Sequence, residues 1–151
     1  MPTDCLIVQY FPSVAIGTGG DGVMKDICLE FAGGVEQKLA LVSEILGAAG
    51  VNIEGLCITK TEDSAVVHYL VGDEKTAIRI LRSAGVEIVK ISEVFVLNKD
   101  KDGITGKPGS FGRICRTLAD SGVGIDFGYP AENNRFVFGV KDVEKVRELL
   151  K

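Results

Sequence analysis

The segment Lys107-Pro108-Gly109-Ser110-Phe111 stands directly before an apolar-periodic stretch that predicts a helix, and its residue types favour the binding of a small anion. Proline and glycine at such a junction leave the first backbone N–H groups of the helix without partners, at the positive end of the helix dipole. A carboxylate suits that position, and Gly109 lets a ligand approach the backbone because it has no side chain. The chemistry expected of this segment is therefore binding.

The remaining candidate side chains do not predict catalysis or metal binding. His68 is the only histidine, and its apolar neighbours in a predicted central strand indicate a structural role. The four cysteines are far apart, without a Cys-x-x-Cys pair, and no serine or cysteine nucleophile has an evident catalytic base beside it. The run from Asn98 to Gly103 has the opening spacing of an EF-hand loop, but position twelve is Gly109 in place of a bidentate carboxylate. We expect no metal and no cofactor.

Composition and charge narrow the class of partner. The chain has 151 residues, and its 17 Lys and Arg against 21 Asp and Glu give a formal net charge of −4. This balance argues against nucleic acid or an anionic membrane as the main partner. The apolar run that begins at Leu6 is too short to span a bilayer and lacks the preceding basic residues of a signal peptide. We therefore expect a soluble, cytoplasmic protein.

The chain repeats itself at an offset of 72 residues. Gly50-Val51-Asn52-Ile53-Glu54 returns as Gly122-Val123-Gly124-Ile125-Asp126, and the apolar positions of the preceding helix align as well. Hydrophobic periodicity in the first copy predicts a strand around 27–31, a helix that ends at Gly50, strands over 51–60 and 65–71, a helix over 74–84 and a strand over 86–91. In the second copy it predicts helices over 110–121 and 142–150 and a hairpin turn at Asn133-Asn134. The predicted fold class is α/β (α+β), with two ferredoxin-like βαββαβ modules in tandem and helices on one face of each antiparallel sheet.

The alternation changes near Ser92-Glu93, which places the boundary between module 1 (residues 24–92) and module 2 (residues 93–151). Module 2 lacks its own fourth strand because the sequence given ends at Lys151. Its sheet would then expose an unpaired edge. The N-terminal extension, residues 1–23, contains the apolar run Cys5–Tyr10, and two hypotheses remain open for it. It either pairs with that edge or a partner chain, or forms a frayed tail.

The loop at Pro108-Gly109, the paired strand starts at Asn52 and Gly124, and the turn from Tyr129 to Asn134 resemble the ACT domain, in particular stand-alone tandem ACT proteins. The resemblance covers residues 24–151. ACT domains are regulatory modules that commonly bind amino acids between two paired modules. The Pro-Gly loop of one module faces the second-strand start of the other, where an Asn often contacts the ligand. The resemblance thus implies a non-enzymatic sensor of an amino acid or related metabolite, in a homodimer.

The resemblance also implies one composite ligand site per chain. The second copy keeps Pro108 and Gly109 but has Gly124 where the Asn would stand, whereas the first copy keeps Asn52 and has Gln37 at the aligned position of the loop glycine. The mirror site is therefore expected to be defective. The predicted ligand-binding residues are Pro108, Gly109, Ser110 and Phe111 from one module, Asn52 and Ile53 from the other, and Asp126 and Tyr129 as additional polar contacts.

Two other functions remain as alternatives. The first is an assembly or partner-regulating protein whose pocket has degenerated. The second, less expected, is a small ferredoxin-like enzyme, but neither loop has an anion-binding arginine, since Arg113 lies inside the predicted helix. An RNA-recognition module is not favoured, because the central strands of the first copy, Ile27 to Phe31 and Val66 to Val71, lack the interleaved aromatic and basic residues that bind RNA, and the net charge is negative.

Overall fold

The computed structural model describes residues 24–151. In chain order the elements are β1 (Met24–Phe31), α1 (Val35–Ala48), β2 (Ile53–Lys60), β3 (Ala65–Val71), α2 (Glu74–Ser83), β4 (Lys90–Asn98), α3 (Ser110–Asp120), β5 (Ile125–Ala131), β6 (Arg135–Val140) and α4 (Val143–Leu149). Every strand pairing is antiparallel. The α+β class with antiparallel strands is confirmed.

Capping residues fix the ends of the helices. The Asp73 carboxylate accepts a hydrogen bond from the Thr76 backbone N–H (3.1 Å) at the start of α2, and Asp142 accepts one from Lys145 (3.0 Å) at the start of α4. Gly50 follows α1 with a φ of 73°, a left-handed conformation that side chains disfavour. The predicted end of α1 at this glycine is therefore confirmed.

The six strands form one closed barrel in the order β1-β3-β2-β5-β6-β4, where the sequence predicted two separate sheets. The barrel closes on one side because β4 changes partners along its length. Its residues Lys90–Val94 pair with β1, and Phe95–Asn98 pair with β6. The predicted strand over 86–91 was wrong, since β4 begins at Lys90 and runs unbroken across the position between residues 92 and 93.

On the other side the barrel closes at a narrow seam between β2 and β5. The two strands pair only at Gly55 and Ala131. Glu54 reinforces the seam with an ion pair to Arg135 at 2.7 Å, and its carbonyl oxygen accepts a hydrogen bond from the Glu132 backbone N–H at 2.7 Å. A Cβ at Gly55 would lie 3.0 Å from the Tyr129 ring, so this close approach requires glycine.

Hydrophobic side chains pack in three clusters, two between the barrel and the helices and one inside the barrel. One lies between the barrel wall and the pair α1 and α2, with Leu29 and Leu46 fully buried. A second lies beneath α3 and α4, around Leu118. The third contains side chains from the six strands and none from a helix, including Leu70, Val94 and Tyr129, and so fills the barrel interior. The helices cover the outside of the barrel.

The predicted role of residues 1–23 as an edge strand lies outside the described residues. Within residues 24–151, no helix combines the length and the apolar character needed to cross a membrane.

Candidate functional site

The loop before α3 ends at Gly109, which has a left-handed backbone conformation. Gly109 is the N-cap of α3, with a φ of 80°, and a Cβ there would meet nothing within 4 Å. The Ser110 hydroxyl donates to the carbonyl oxygens of Ile104 (2.9 Å) and Lys107 (2.7 Å), and the residue is 3% exposed. Ser110 therefore fastens the loop, while the next N–H groups of the first turn lack intrahelical partners. Pro108 precedes them as an exposed residue.

Phe111 connects this helix start to β6. Its ring packs edge-on against Phe136 with centroids 4.9 Å apart, and it lies roughly parallel to Phe138 at 5.9 Å. The residue is nevertheless 38% exposed. Phe111 thus anchors α3 to the barrel and leaves part of its surface open to solvent.

Asn52 and Ile53 lie at the start of β2, on the other side of the β5–β6 turn. The exposed Asn52 amide donates to the Glu132 carboxylate at 3.2 Å, whereas Ile53 is half-buried against the core of α1 and α2. Among residues 24–151, no hydrogen bond joins Asn52 or Ile53 to the segment 108–111. The two parts of the predicted site are therefore not in direct hydrogen-bonding contact within one chain.

The β5–β6 turn connects the two parts indirectly. Glu132 at one end of the turn binds Asn52, and Asn134 at the other donates to Asp100 (2.7 Å) and Thr105 (2.6 Å) of the loop that leads to Gly109. The hydrogen bonds from Thr105 and Asn134 hold the pKa of the Asp100 carboxyl below its ordinary value. The calcium-like spacing therefore builds a hydrogen-bonded loop, and the described residues contain no cluster fit for a metal ion.

The loop before α1 corrects one step of the sequence alignment. Helix α1 has 14 residues and α3 has 11, so the offset of 72 residues fails at the helix starts. The structural counterpart of Gly109 is Gly34, the N-cap of α1, with a left-handed φ of 58°. Gln37 lies inside the first turn of the helix. The prediction that Gln37 replaces the loop glycine was wrong, and both long helices begin after a left-handed glycine.

Tyr129 lies inside the barrel, where it takes part in a buried polar network with Asp26 and His68. Its hydroxyl donates to Asp26 Oδ1 at 2.5 Å, and His68 Nδ1 donates to Asp26 Oδ2 at 2.8 Å. Asp26 is fully buried and Tyr129 is 2% exposed. Burial, and then the neighbouring Asp26 carboxyl, raises the pKa of Tyr129 far above its ordinary value. Three strands, β1, β3 and β5, are joined by this network.

Sequence reasoning missed Asp26. It alternates with the apolar residues Ile27 and Leu29, a pattern typical of a solvent-facing position. The available signal was His68, because two polar side chains on the inner faces of neighbouring strands often satisfy each other. Asp126, by contrast, is exposed on β5 and lines a cavity of about 410 Å³ between β4 and β6.

The fold is similar to those of several solved proteins, two of which are regulatory subunits of aspartate kinase. Protein BT0572 from Bacteroides thetaiotaomicron has 25% sequence identity and a TM-score of 0.65, and the match covers 84% of each chain. The ligand-free regulatory subunit of aspartate kinase from Thermus thermophilus has 15% identity and a TM-score of 0.60, covering 85% of this chain and 88% of that chain. The corresponding subunit from Thermus flavus has 12% identity and a TM-score of 0.57, with the same two coverages of 85% and 88%.

No family model and no curated protein matches this sequence. The similarity to the two aspartate kinase subunits is one of fold, and it extends over most of both chains. This fold agrees with the resemblance to the ACT domain, which rests on the Pro108-Gly109 loop and the strand start at Asn52. The fold of the chain is therefore the one expected of an ACT-domain protein.

Proposed function

We propose that this chain is a non-enzymatic regulatory protein that binds an amino acid or a related small metabolite between paired ACT modules. The proposed site combines the helix start at Gly109 and Phe111 with the strand start at Asn52. Ligand binding would stabilise one arrangement of the paired modules over another and so regulate a partner.

The observation that carries this proposal is the exposed contact between the Asn52 amide and the Glu132 carboxylate. It is consistent with an amide that is oriented to receive a carboxylate group. The turn that supplies Glu132 is also tied, through Asn134, to the loop before Gly109. A carboxylate ligand would replace that of Glu132 at the Asn52 amide, and the open N–H groups of α3 offer a second position suited to an anionic group.

The strand order supports a division into two modules. Strands β1-β3-β2 form one half of the barrel and β4-β6-β5 the other, each with two helices on its outer side. We propose that residues 24–92 and 93–151 are paired modules with β4 shared between them. The mirror site was expected to lack both the loop glycine and the Asn. Gly34 supplies the glycine at the start of α1, but Gly124 occupies the position that Asn52 has in the first copy. We therefore expect the site at Gly109 and Asn52 to bind more tightly.

The test is thermal unfolding of the full chain with each of the twenty amino acids at millimolar concentration. A small ligand of this kind is expected to bind with a Kd in the micromolar range. At a hundred times Kd it adds about 2.7 kcal/mol to the free energy of unfolding, which raises Tm by several degrees. We expect this shift with one amino acid or a few related ones, and its loss in Asn52→Ala and Gly109→Val.

Two matched variants control for structural damage. Gly106 has a φ of 68° and open space around it, so Gly106→Val imposes the same backbone strain as Gly109→Val, about 1–2 kcal/mol, away from the helix start. Gln37→Ala removes an exposed amide from α1. Both controls should keep the ligand shift. If no amino acid shifts Tm, or if the control variants lose the shift as fully as the site variants, this proposal is wrong.

A further inference from the structure

A cleft of about 410 Å³ opens in the barrel wall where β4 and β6 separate. The pairing of β4 with β6 extends only from Phe95, opposite Phe138, to Asn98, opposite Arg135. The first half of β4 pairs with β1. Within the described part of the chain, no strand fills the space between the first half of β4 and the end of β6. The volume lies in the range of small-molecule sites.

Charged side chains of both signs surround this cleft. Lys90 and Glu93 lie on β4, Asp126 lies on β5, and Lys141 follows β6. All four are exposed, and the ion pairs found among residues 24–151 do not include them. Amines and carboxylates on facing strands suit a zwitterion, since its carboxylate pairs with a lysine and its ammonium group with an acidic side chain.

Apolar side chains also line the cleft. Phe127 is half-buried, and Val140 and Val143 are each 7% exposed. An aliphatic or aromatic group placed on these residues loses its contact with water, which favours binding. The cleft is therefore lined by both apolar and charged side chains.

Phe127 connects the cleft to the buried polar network. Its ring stacks on His68 with centroids 4.2 Å apart and an angle of 28° between the planes. Ser92, which also lines the cleft, stands opposite Asp26 in the pairing of β4 with β1. A molecule that contacts Phe127 therefore lies one aromatic ring away from His68.

We propose that this cleft is a second ligand site, separate from Gly109 and Asn52, for an amino acid with an apolar side chain. Lys141 and Lys90 bind its carboxylate, Asp126 and Glu93 bind its ammonium group, and its side chain packs on Phe127. The proposal depends on the geometry of β4 and β6 and does not require the composite site to bind a ligand.

The single histidine of the chain provides a specific readout. The experiment titrates the full chain with L-leucine, L-valine and L-phenylalanine in turn and follows the imidazole C–H signals of His68 by NMR. We expect a saturable shift with at least one of the three. The leucine analogues 4-methylpentanoate and 3-methylbutylamine each lack one charge, so we expect them to bind about tenfold more weakly or not at all.

Variants assign the response to the cleft. Lys141→Gln and Asp126→Asn should each weaken the binding measured through His68 by about tenfold, because each removes one charged partner of the ligand. Lys75→Gln and Asp102→Asn are matched changes at exposed positions outside the cleft and should leave the affinity unchanged. Asn52→Ala should also leave the His68 response unchanged.

The outcomes separate the two proposals. No saturable shift of His68 with any of the three amino acids overturns the cleft site, whatever the thermal unfolding results. A response lost in Asn52→Ala but kept in Lys141→Gln and Asp126→Asn also overturns it and supports the composite site. A response lost only in the cleft variants, with no amino acid effect that depends on Asn52 or Gly109, supports the cleft and contradicts the proposed function.

Discussion

At the scale of single residues, the network of Asp26, His68 and Tyr129 joins parts of the chain that are far apart in sequence. Tyr129 and Asp26 are separated by 103 positions, yet their oxygen atoms lie 2.5 Å apart. A buried carboxyl group is costly unless it is hydrogen-bonded, so each of the two partners stabilises the barrel by satisfying Asp26. The network therefore links the predicted modules from inside.

We expect Asp26→Ala to lower the free energy of unfolding by about 2–4 kcal/mol, because it leaves the Tyr129 hydroxyl and the His68 ring without an acceptor. Urea unfolding measures the effect, and a double-mutant cycle with Tyr129→Phe should give a coupling of about 1–3 kcal/mol. The control is Glu30→Ala, an exposed acid on the same face of β1, which should change stability by less than about 0.5 kcal/mol. Equal effects of the two substitutions would contradict the network.

The raised pKa of Tyr129 predicts a loss of stability at alkaline pH. Below about pH 10 the phenol is protonated in both the folded and the unfolded states, so it contributes no pH dependence. Above that pH the unfolded chain loses the proton while the folded chain retains it, which favours unfolding by about 1.4 kcal/mol per pH unit. Tyr129→Phe should remove this contribution from the slope of unfolding free energy between pH 10.5 and 11.5. An unchanged slope would contradict the assignment.

Among the individual residues, sequence reasoning identified the loop positions better than the barrel interior. Gly109 and Ser110 were predicted to begin α3 because proline and glycine before an apolar period mark a helix start. Asp26 was missed, because period-two alternation cannot distinguish a face covered by water from one covered by a second set of strands. Tyr129 was predicted as a polar contact of a ligand, and the structure gives its hydroxyl to Asp26.

At the scale of elements, most helix and strand ends were predictable because local chemistry fixes them. Asp73 and Gly50 act through hydrogen bonds and backbone conformation within a few residues. The continuity of β4 was not predictable, since its exchange of β1 for β6 depends on contacts with distant strands. The counterpart of Gly109 was placed at Gln37 and not at Gly34, because an alignment of repeats assumes helices of equal length.

The close packing of β5 against β6 gives an element-scale prediction. A Cβ at Gly139 would overlap the Phe127 ring, so Gly139→Ala should destabilise the protein by about 1–3 kcal/mol. Gly124→Ala is the matched change before β5, where a Cβ meets nothing within 4 Å, and it should be nearly neutral. Thermal unfolding of both variants measures the difference. A neutral Gly139→Ala would show that Phe127 does not lie against this strand.

At the scale of the whole molecule, the two halves of the barrel are joined by many strand contacts on one side and by few on the other. On one side β4 runs continuously through both halves, while on the other β2 and β5 share one pair of residues, reinforced by the ion pair between Glu54 and Arg135. The narrow seam lies beside Asn52 and the β5–β6 turn. A ligand that changes the contact of Asn52 with Glu132 would therefore act where the halves are held by the fewest strand contacts, as regulation by the arrangement of modules requires.

Calorimetric titration of the full chain with each of the twenty amino acids, repeated on Asn52→Ala, measures amino acid binding at the composite site. We expect a saturable isotherm in the micromolar range for at least one amino acid, with the affinity reduced at least about tenfold by the substitution. Saturable binding that Asn52→Ala leaves unchanged would contradict the composite site. The absence of binding by all twenty would contradict the regulatory sensor itself and favour an assembly or partner-regulating protein.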